Sequence, residues 1–134
     1  MSGWKAGAIK SFFRVVINSD IPGRLRIKIK NFRLIPETGV NASLPYISKA
    51  FGILPGVKSA RLNPKVGSLL IIYDPLKANT KKILEWINIM IETGVKYAPV
   101  IARSGIREPA RIEAFLIERL TRRVPDMEKT EELW

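Results

Sequence analysis

The sequence predicts an α+β domain in which a four-stranded antiparallel sheet carries two helices on one face. Three observations support that prediction. In GRLRIKIKN, Gly23 to Asn31, the cations Arg24, Arg26, Lys28 and Lys30 alternate with Leu25, Ile27 and Ile29, the two-residue period of a strand with unlike faces. VKSARLNP followed by GSLLIIYDP reads as a hairpin about Asn63–Pro64–Lys65. The segments ASLPYISKAFGIL and KKILEWINIMIET space their apolar residues as helices do.

Taken in order, residues 1–19 are apolar and basic, with Trp4, Phe12, Phe13 and Val15 to Ile17. They form either an amphipathic helix or a short helix running into a strand. Pro22–Gly23 marks a turn, and 24–30 is the first strand. NFRLIPETGVN is a loop. Leu44, Ile47, Phe51 and Leu54 line the first helix, Pro45 suits its first turn, and Leu54–Pro55–Gly56 stops it. Asn63–Pro64–Lys65 suits a type I turn, with Gly67 in the left-handed position that follows. Asp74–Pro75 ends the second strand of that hairpin. Asn79 or Thr80 caps the second helix, whose stripe is Ile83, Ile87 and Ile91, widened by Leu84 and Met90. Gly94 is its expected C-cap. VKYAPVIA is expected as a final strand on a sheet edge, because Pro99 has no N–H to donate to a central ladder. The resulting order, β-α-β-β-α-β, is the ferredoxin-like sandwich. Beyond it, REPARIEAFLIERLTRRV predicts an extra C-terminal helix with Ile112, Phe115, Leu116, Leu120 and Val124 on one side and Pro125 at its end. The expected division is an arm at 1–19, the ferredoxin-like domain at 20–103, and the C-terminal helix with an acidic tail at 104–134.

Composition limits the chemistry. The 134 residues include no cysteine and no histidine. Disulfides, thiolate metal sites and cysteine nucleophiles are excluded, as are the commonest general base and the commonest transition-metal ligand. The net charge is +11, and residues 21–103 hold fourteen Lys/Arg against four acids. Such a field draws anionic partners and weakens with salt. No segment approaches the roughly 18 uninterrupted apolar residues of a membrane span, and AIKSFFRVVI lacks the cleavage pattern of a secretory signal. A cytoplasmic location is expected, with the inner face of the membrane as a peripheral alternative. No acid–base pair stands out: Asp74 reads as a turn residue, Glu85 and Glu92 as the solvated side of a helix, and GVKSAR is not a phosphate-binding loop. The expectation is a non-enzyme that needs no cofactor.

In a ferredoxin-like sheet the first and third strands are central. Leu25, Ile27 and Ile29 then face the helices, and Arg24, Arg26, Lys28 and Lys30 face the open side. This row is the expected binding surface, with Lys58 and Arg61 as neighbours from the next strand, of which one parity joins. The third strand is apolar on both parities: Leu69, Ile71 and Tyr73 against Leu70 and Ile72. A strand of that kind is usually buried on both sides. A terminal arm, from this chain or a neighbouring one, is therefore expected across the open face, with Glu108, Glu113 and Glu118 available to pair with the cations.

DIPGRLRIKI, then ILPGVKSARLNPKVGSLLIIYDP, resembles the heavy-metal-associated (HMA) domain family, and in particular a divergent branch with Gly-Arg-x-Arg opening the first strand and Leu-Pro-Gly-Val, Asn-Pro, Gly-Ser and Tyr-Asp in the middle. The likeness covers roughly residues 20–101. It implies the same ferredoxin-like fold, found in soluble metallochaperones and in N-terminal modules of metal-transporting ATPases. The metal-binding members carry Cys-x-x-Cys in the loop after the first strand. Here that loop is KNFRLIPETGVNAS, with Glu37 as its only charged oxygen ligand, so no family ligand carries over and no thiolate-bound metal is expected. The resemblance implies an HMA-like interaction or adaptor domain with a degenerate metal site, accessory to a metal-handling or membrane-associated assembly, with a protein partner or self-association.

Two alternatives stand beside it. One is nucleic-acid binding on the open face, for which the central strands lack stacking aromatics apart from Tyr73. The other is attachment to an anionic membrane surface through residues 1–18, where Trp4, Phe12 and Phe13 lie among Lys5, Lys10 and Arg14.

Overall fold

The computed structural model describes residues 15–30, 46–125 and 127. Strand β1 (Val15–Ile21) turns through Pro22–Gly23 into β2 (Arg24–Ile29). Pro22 fixes the first central φ of that two-residue turn, and Gly23 takes the left-handed second position at φ 85°. Helix α1 follows, its described part spanning 46–53. Strands β3 (Val57–Asn63) and β4 (Ser68–Tyr73) form the second hairpin. Gly67 closes its turn at φ 70°, donating its N–H to the Asn63 carbonyl, while the Asn63 side chain accepts from Lys65 N. Helices α2 (Thr80–Ser104) and α3 (Pro109–Thr121) complete the described chain.

The α+β class holds, and the four strands form one antiparallel sheet in the spatial order β1-β2-β4-β3. The element order differs from the expected βαββαβ. Residues 15–19, assigned to an N-terminal arm that is either a helix or runs into a strand, form a strand, and that strand belongs to the sheet. VKYAPVIA is not a strand: α2 runs through Gly94 and Pro99 and ends at Ser104, with Gly105 as its left-handed C-cap at φ 77°. The boundary expected at 103 therefore falls in the last turn of α2.

The physical reason is competition for one edge. A fourth strand at 95–102 would pair with β2, but β1 already occupies that side of β2. β1 reaches it through a two-residue turn, which costs far less closure entropy than a return across the domain. Freed from the sheet, 95–102 extends the helix and packs on α3. Tyr97 meets Phe115 edge to face at 5.5 Å, and the Arg119 guanidinium lies over both rings. Pro99 is then a helix-interior proline on the exposed side. It withholds one hydrogen bond and crowds the preceding turn. Pro99→Ala is expected to raise stability by about 2 kcal/mol in urea denaturation, whereas an edge-strand proline would give almost no change.

The core lies between the sheet and the helices. Leu25, Ile27 and Ile71 from the strands meet Phe51, Ile83 and Trp86 from α1 and α2, all at most 1% exposed. Leu120 of α3 joins the same cluster at 0%, so the C-terminal helix belongs to the helical layer. Asn79 caps α2 as expected, its side chain accepting from Lys82 N at 2.8 Å. α3 starts with Pro109 in its first turn and ends at Thr121, before the expected stop at Pro125.

Candidate docking face

β2 places its two side-chain sets as the alternation requires. Leu25 and Ile27 are fully buried, Ile29 is half-buried, and Arg24, Arg26 and Lys28 are exposed. Lys30 is exposed just beyond the strand. On β4, Leu69, Ile71 and Tyr73 point into the core, while Ser68, Leu70 and Ile72 are half-buried on the opposite side.

Directly paired residues of antiparallel neighbours share a face, so the register assembles the open side row by row. One row reads Ile21, Arg24, Ile72, Ser59. The next reads Ser19, Arg26, Leu70, Arg61, and a third reads Val16, Lys28, Ser68, Asn63. Arg61 is thus on the parity of β3 that joins the cationic row, with Leu70 between it and Arg26. Lys58 is not in the row. The ladder skips it between Val57 and Ser59, and it is the extra residue of a bulge. Ser19, Ile21 and Ser59 are additions to the face that the sequence does not mark, and Val16 and Asn63, read from sequence as an arm residue and a turn residue, also belong to it. Alternation in VVINSDI does not reveal the β1 members: every residue from Val16 to Ile21 is exposed, and a bulge between Ile17 and Ser19 switches the parity that faces the row.

The resulting surface has a floor of Leu70 and Ile72, one wall of Arg24, Arg26 and Lys28 from β2, and Arg61 on the other side from β3. Among the described residues it carries no acid, and none of Arg24, Arg26, Lys28, Lys30, Lys58 or Arg61 forms an ion pair with another described residue. The one carboxylate of β1, Asp20, sits opposite Leu25 and accepts a hydrogen bond from the Thr80 hydroxyl at 2.7 Å. Like charges about 7 Å apart repel by only about 0.6 kcal/mol in bulk water. The row is therefore tolerated in solvent without compensating acids, and an anion arriving from outside meets cations that need not first be released.

The C-terminal helix does not cover this face. Glu113 pairs with Lys49 of α1, Glu108 with Arg111, and Glu118 with Arg119 and Arg122. These acids are committed within the helical layer because α3 buries its apolar side on α2 and the core, which turns it away from the cations. The expectation that Glu108, Glu113 and Glu118 pair with the row is therefore corrected. The arm at 1–14, the loop holding Glu37 and the tail at 128–134 lie outside the described residues.

Two other features lie away from this face. A groove of about 740 Å³ runs between the β1–β2 turn and the start of α2, lined by Asp20, Pro22, Tyr73, Thr80, Glu85 and Met127 among others. Its closest polar pair, Asp20 and Thr80, is a structural tie between sheet and helix. Tyr46, in α1, has a buried hydroxyl with no hydrogen-bond partner among the described residues, and burial pushes its pKa up to about 12. It stays protonated at neutral pH and offers no base. Among the described residues no three acidic, histidine or cysteine side chains gather as a metal site, and no helix is long and apolar enough to cross a membrane.

No protein-family model, no curated protein and no solved structure matches this chain.

Proposed function

We propose that this chain is a non-catalytic, HMA-like interaction domain that lacks a soft-metal site and docks an anionic protein partner on the open face of its sheet. The observation that carries this reading is the register-aligned set Arg24, Arg26, Lys28 and Arg61 around the half-buried Leu70 and Ile72, with no acid among the described residues of that face. The mixture of charge and apolar surface suits a protein partner, in which carboxylates and aliphatic side chains occur together. The sheet order also supports kinship with ferredoxin-like folds. β1 occupies the edge next to β2 where the fourth strand of such a sheet would lie, and the remaining order, β2-β4-β3, is retained. A role accessory to a metal-handling or membrane-associated assembly rests on the resemblance of GRLR and LPGV…NP..GS….YDP alone.

Nucleic-acid binding is the weaker reading. Tyr73, the one aromatic of the central strands, is 5% exposed and faces the core, so it offers no ring to a base.

The test is capture of partners from the native cell by the tagged chain, repeated with Arg24, Arg26, Lys28 and Arg61 all changed to Ser. The expected result is loss of the captured proteins with the fold retained. An unchanged set of partners would retire the face as a recognition surface.

A further inference from the structure

Resting on that docking reading, we infer that the occupant of the open face is an acidic amphipathic α-helix of the partner protein. The face is a trough. Its floor, Leu70 and Ile72, lies on β4, and its walls rise from the flanking strands, where Arg24, Arg26 and Lys28 of β2 and Arg61 of β3 are exposed. The wall strands stand two interstrand spacings apart, about 9.6 Å. An α-helix with its side chains is about 10–12 Å across. An apolar ridge on such a helix meets the floor, carboxylates along one flank meet Arg24, Arg26 and Lys28, and one on the other flank meets Arg61, which stands between Ser59 and Asn63.

The spacing along the trough agrees. Cations on alternate residues of β2 recur every ~6.8 Å, and carboxylates four residues apart on a helix recur every ~6 Å. Arginine and lysine stems absorb the difference.

Other occupants fit less well. An extended segment lying flat on this face would press its backbone N–H and C=O groups against Leu70 and Ile72 without partners, because the sheet's own backbone groups pair within its plane. A helix satisfies its backbone internally. Against a bilayer, Leu70 and Ile72 are half-buried between the cations, and the exposed apolar side chains of this face, Val16 and Ile21, lie apart from them on β1; the vesicle arm of the experiment decides that case. A nucleic acid finds no ring to stack on among the described residues of this face.

The experiment uses the full chain and synthetic peptides of about 18 residues, or five helical turns. One peptide carries a leucine stripe flanked on both sides by Glu at four-residue spacing. A second has the same composition shuffled so that the stripe is lost. Binding is read by fluorescence anisotropy at near-physiological salt, beside poly(U) and phosphatidylserine-containing vesicles. The amphipathic peptide is expected to bind at least about tenfold more tightly than the shuffled one. Arg26→Ser with Arg61→Ser should weaken it by about tenfold, as should Leu70→Thr. Arg103→Ser with Arg107→Ser, which removes the same charge from elsewhere on the surface, should leave it unchanged.

Equal binding of both peptides, lost in the Arg26/Arg61 variant, would overturn the helix and leave the docking face standing. Preference for poly(U) or vesicles over the amphipathic peptide, with the same sensitivity, would also overturn it. Peptide binding indifferent to Arg26 and Arg61 would instead remove the docking reading itself.

Discussion

Ile27→Lys is expected to unfold the domain, while Lys28→Thr, one residue later, leaves its stability within about 0.5 kcal/mol of the parent. Ile27 is fully buried in the cluster formed with α1 and α2. A lysine there loses the apolar contacts of isoleucine and brings an ammonium into a space with no carboxylate among the described core residues. It must either be ionised without a partner or give up its proton, and either course costs several kcal/mol. A domain of this size holds only about 5–15 kcal/mol in total. Lys28 is exposed on the opposite side of the same strand, and threonine keeps the β propensity of the position. Far-ultraviolet circular dichroism with urea titration compares the two. Similar losses at both positions would mean that β2 does not have one wet and one dry face.

Trp86→Ala should remove about 3–5 kcal/mol, the largest cost of any truncation in the core. Trp86 is the largest fully buried side chain, and its indole N–H donates to the Ala50 carbonyl at 2.8 Å. It therefore both fills the space between α1 and α2 and ties the two helices together across 36 residues of sequence. Trp86→Phe separates these roles. It keeps most of the ring volume but deletes the donor, and is expected to cost about 1–3 kcal/mol. Equilibrium urea denaturation measures both variants. If Trp86→Ala cost less than about 1 kcal/mol, the helical layer could not be packed around this ring.

What could be read from the sequence was what depends on near neighbours. The alternation in Arg24 to Lys30, the Asn63–Gly67 turn and the Asn79 cap are each settled within a few residues by backbone geometry and short-range hydrogen bonds. VKYAPVIA misled because its β-branched residues and its proline suit an edge strand. Its fate turns on whether the β2 edge is free, and that is decided by Val15–Ile21 at the far end of the sequence. Gly94 looked like a helix end for the same reason, since stopping there made sense only if a strand followed. The candidate face was half legible. The row on β2 follows from its own period, but the membership of Arg61 and the exclusion of Lys58 depend on one skipped residue in the β3–β4 ladder. Nothing in VKSARLN marks that bulge. The direction of Glu108, Glu113 and Glu118 depends on which layer takes α3, and that is set by Leu120 finding the core rather than by charge.

The absence of cysteine from the chain allows the central claim to be tested directly, because any introduced thiol is the only one present. Single cysteines at positions 24 to 28, and one each at 61, 70 and 103, are reacted with a maleimide in the native state, alone and then in extract from the native cell. Fast labelling is expected at 24, 26, 28, 61 and 103, slower labelling at 70, and protection at 25 and 27. Addition of extract should protect 26, 61 and 70 but not 103. Uniform labelling along 24 to 28, or labelling at 26, 61 and 70 that the extract leaves untouched, would contradict a basic outer face built to receive a partner.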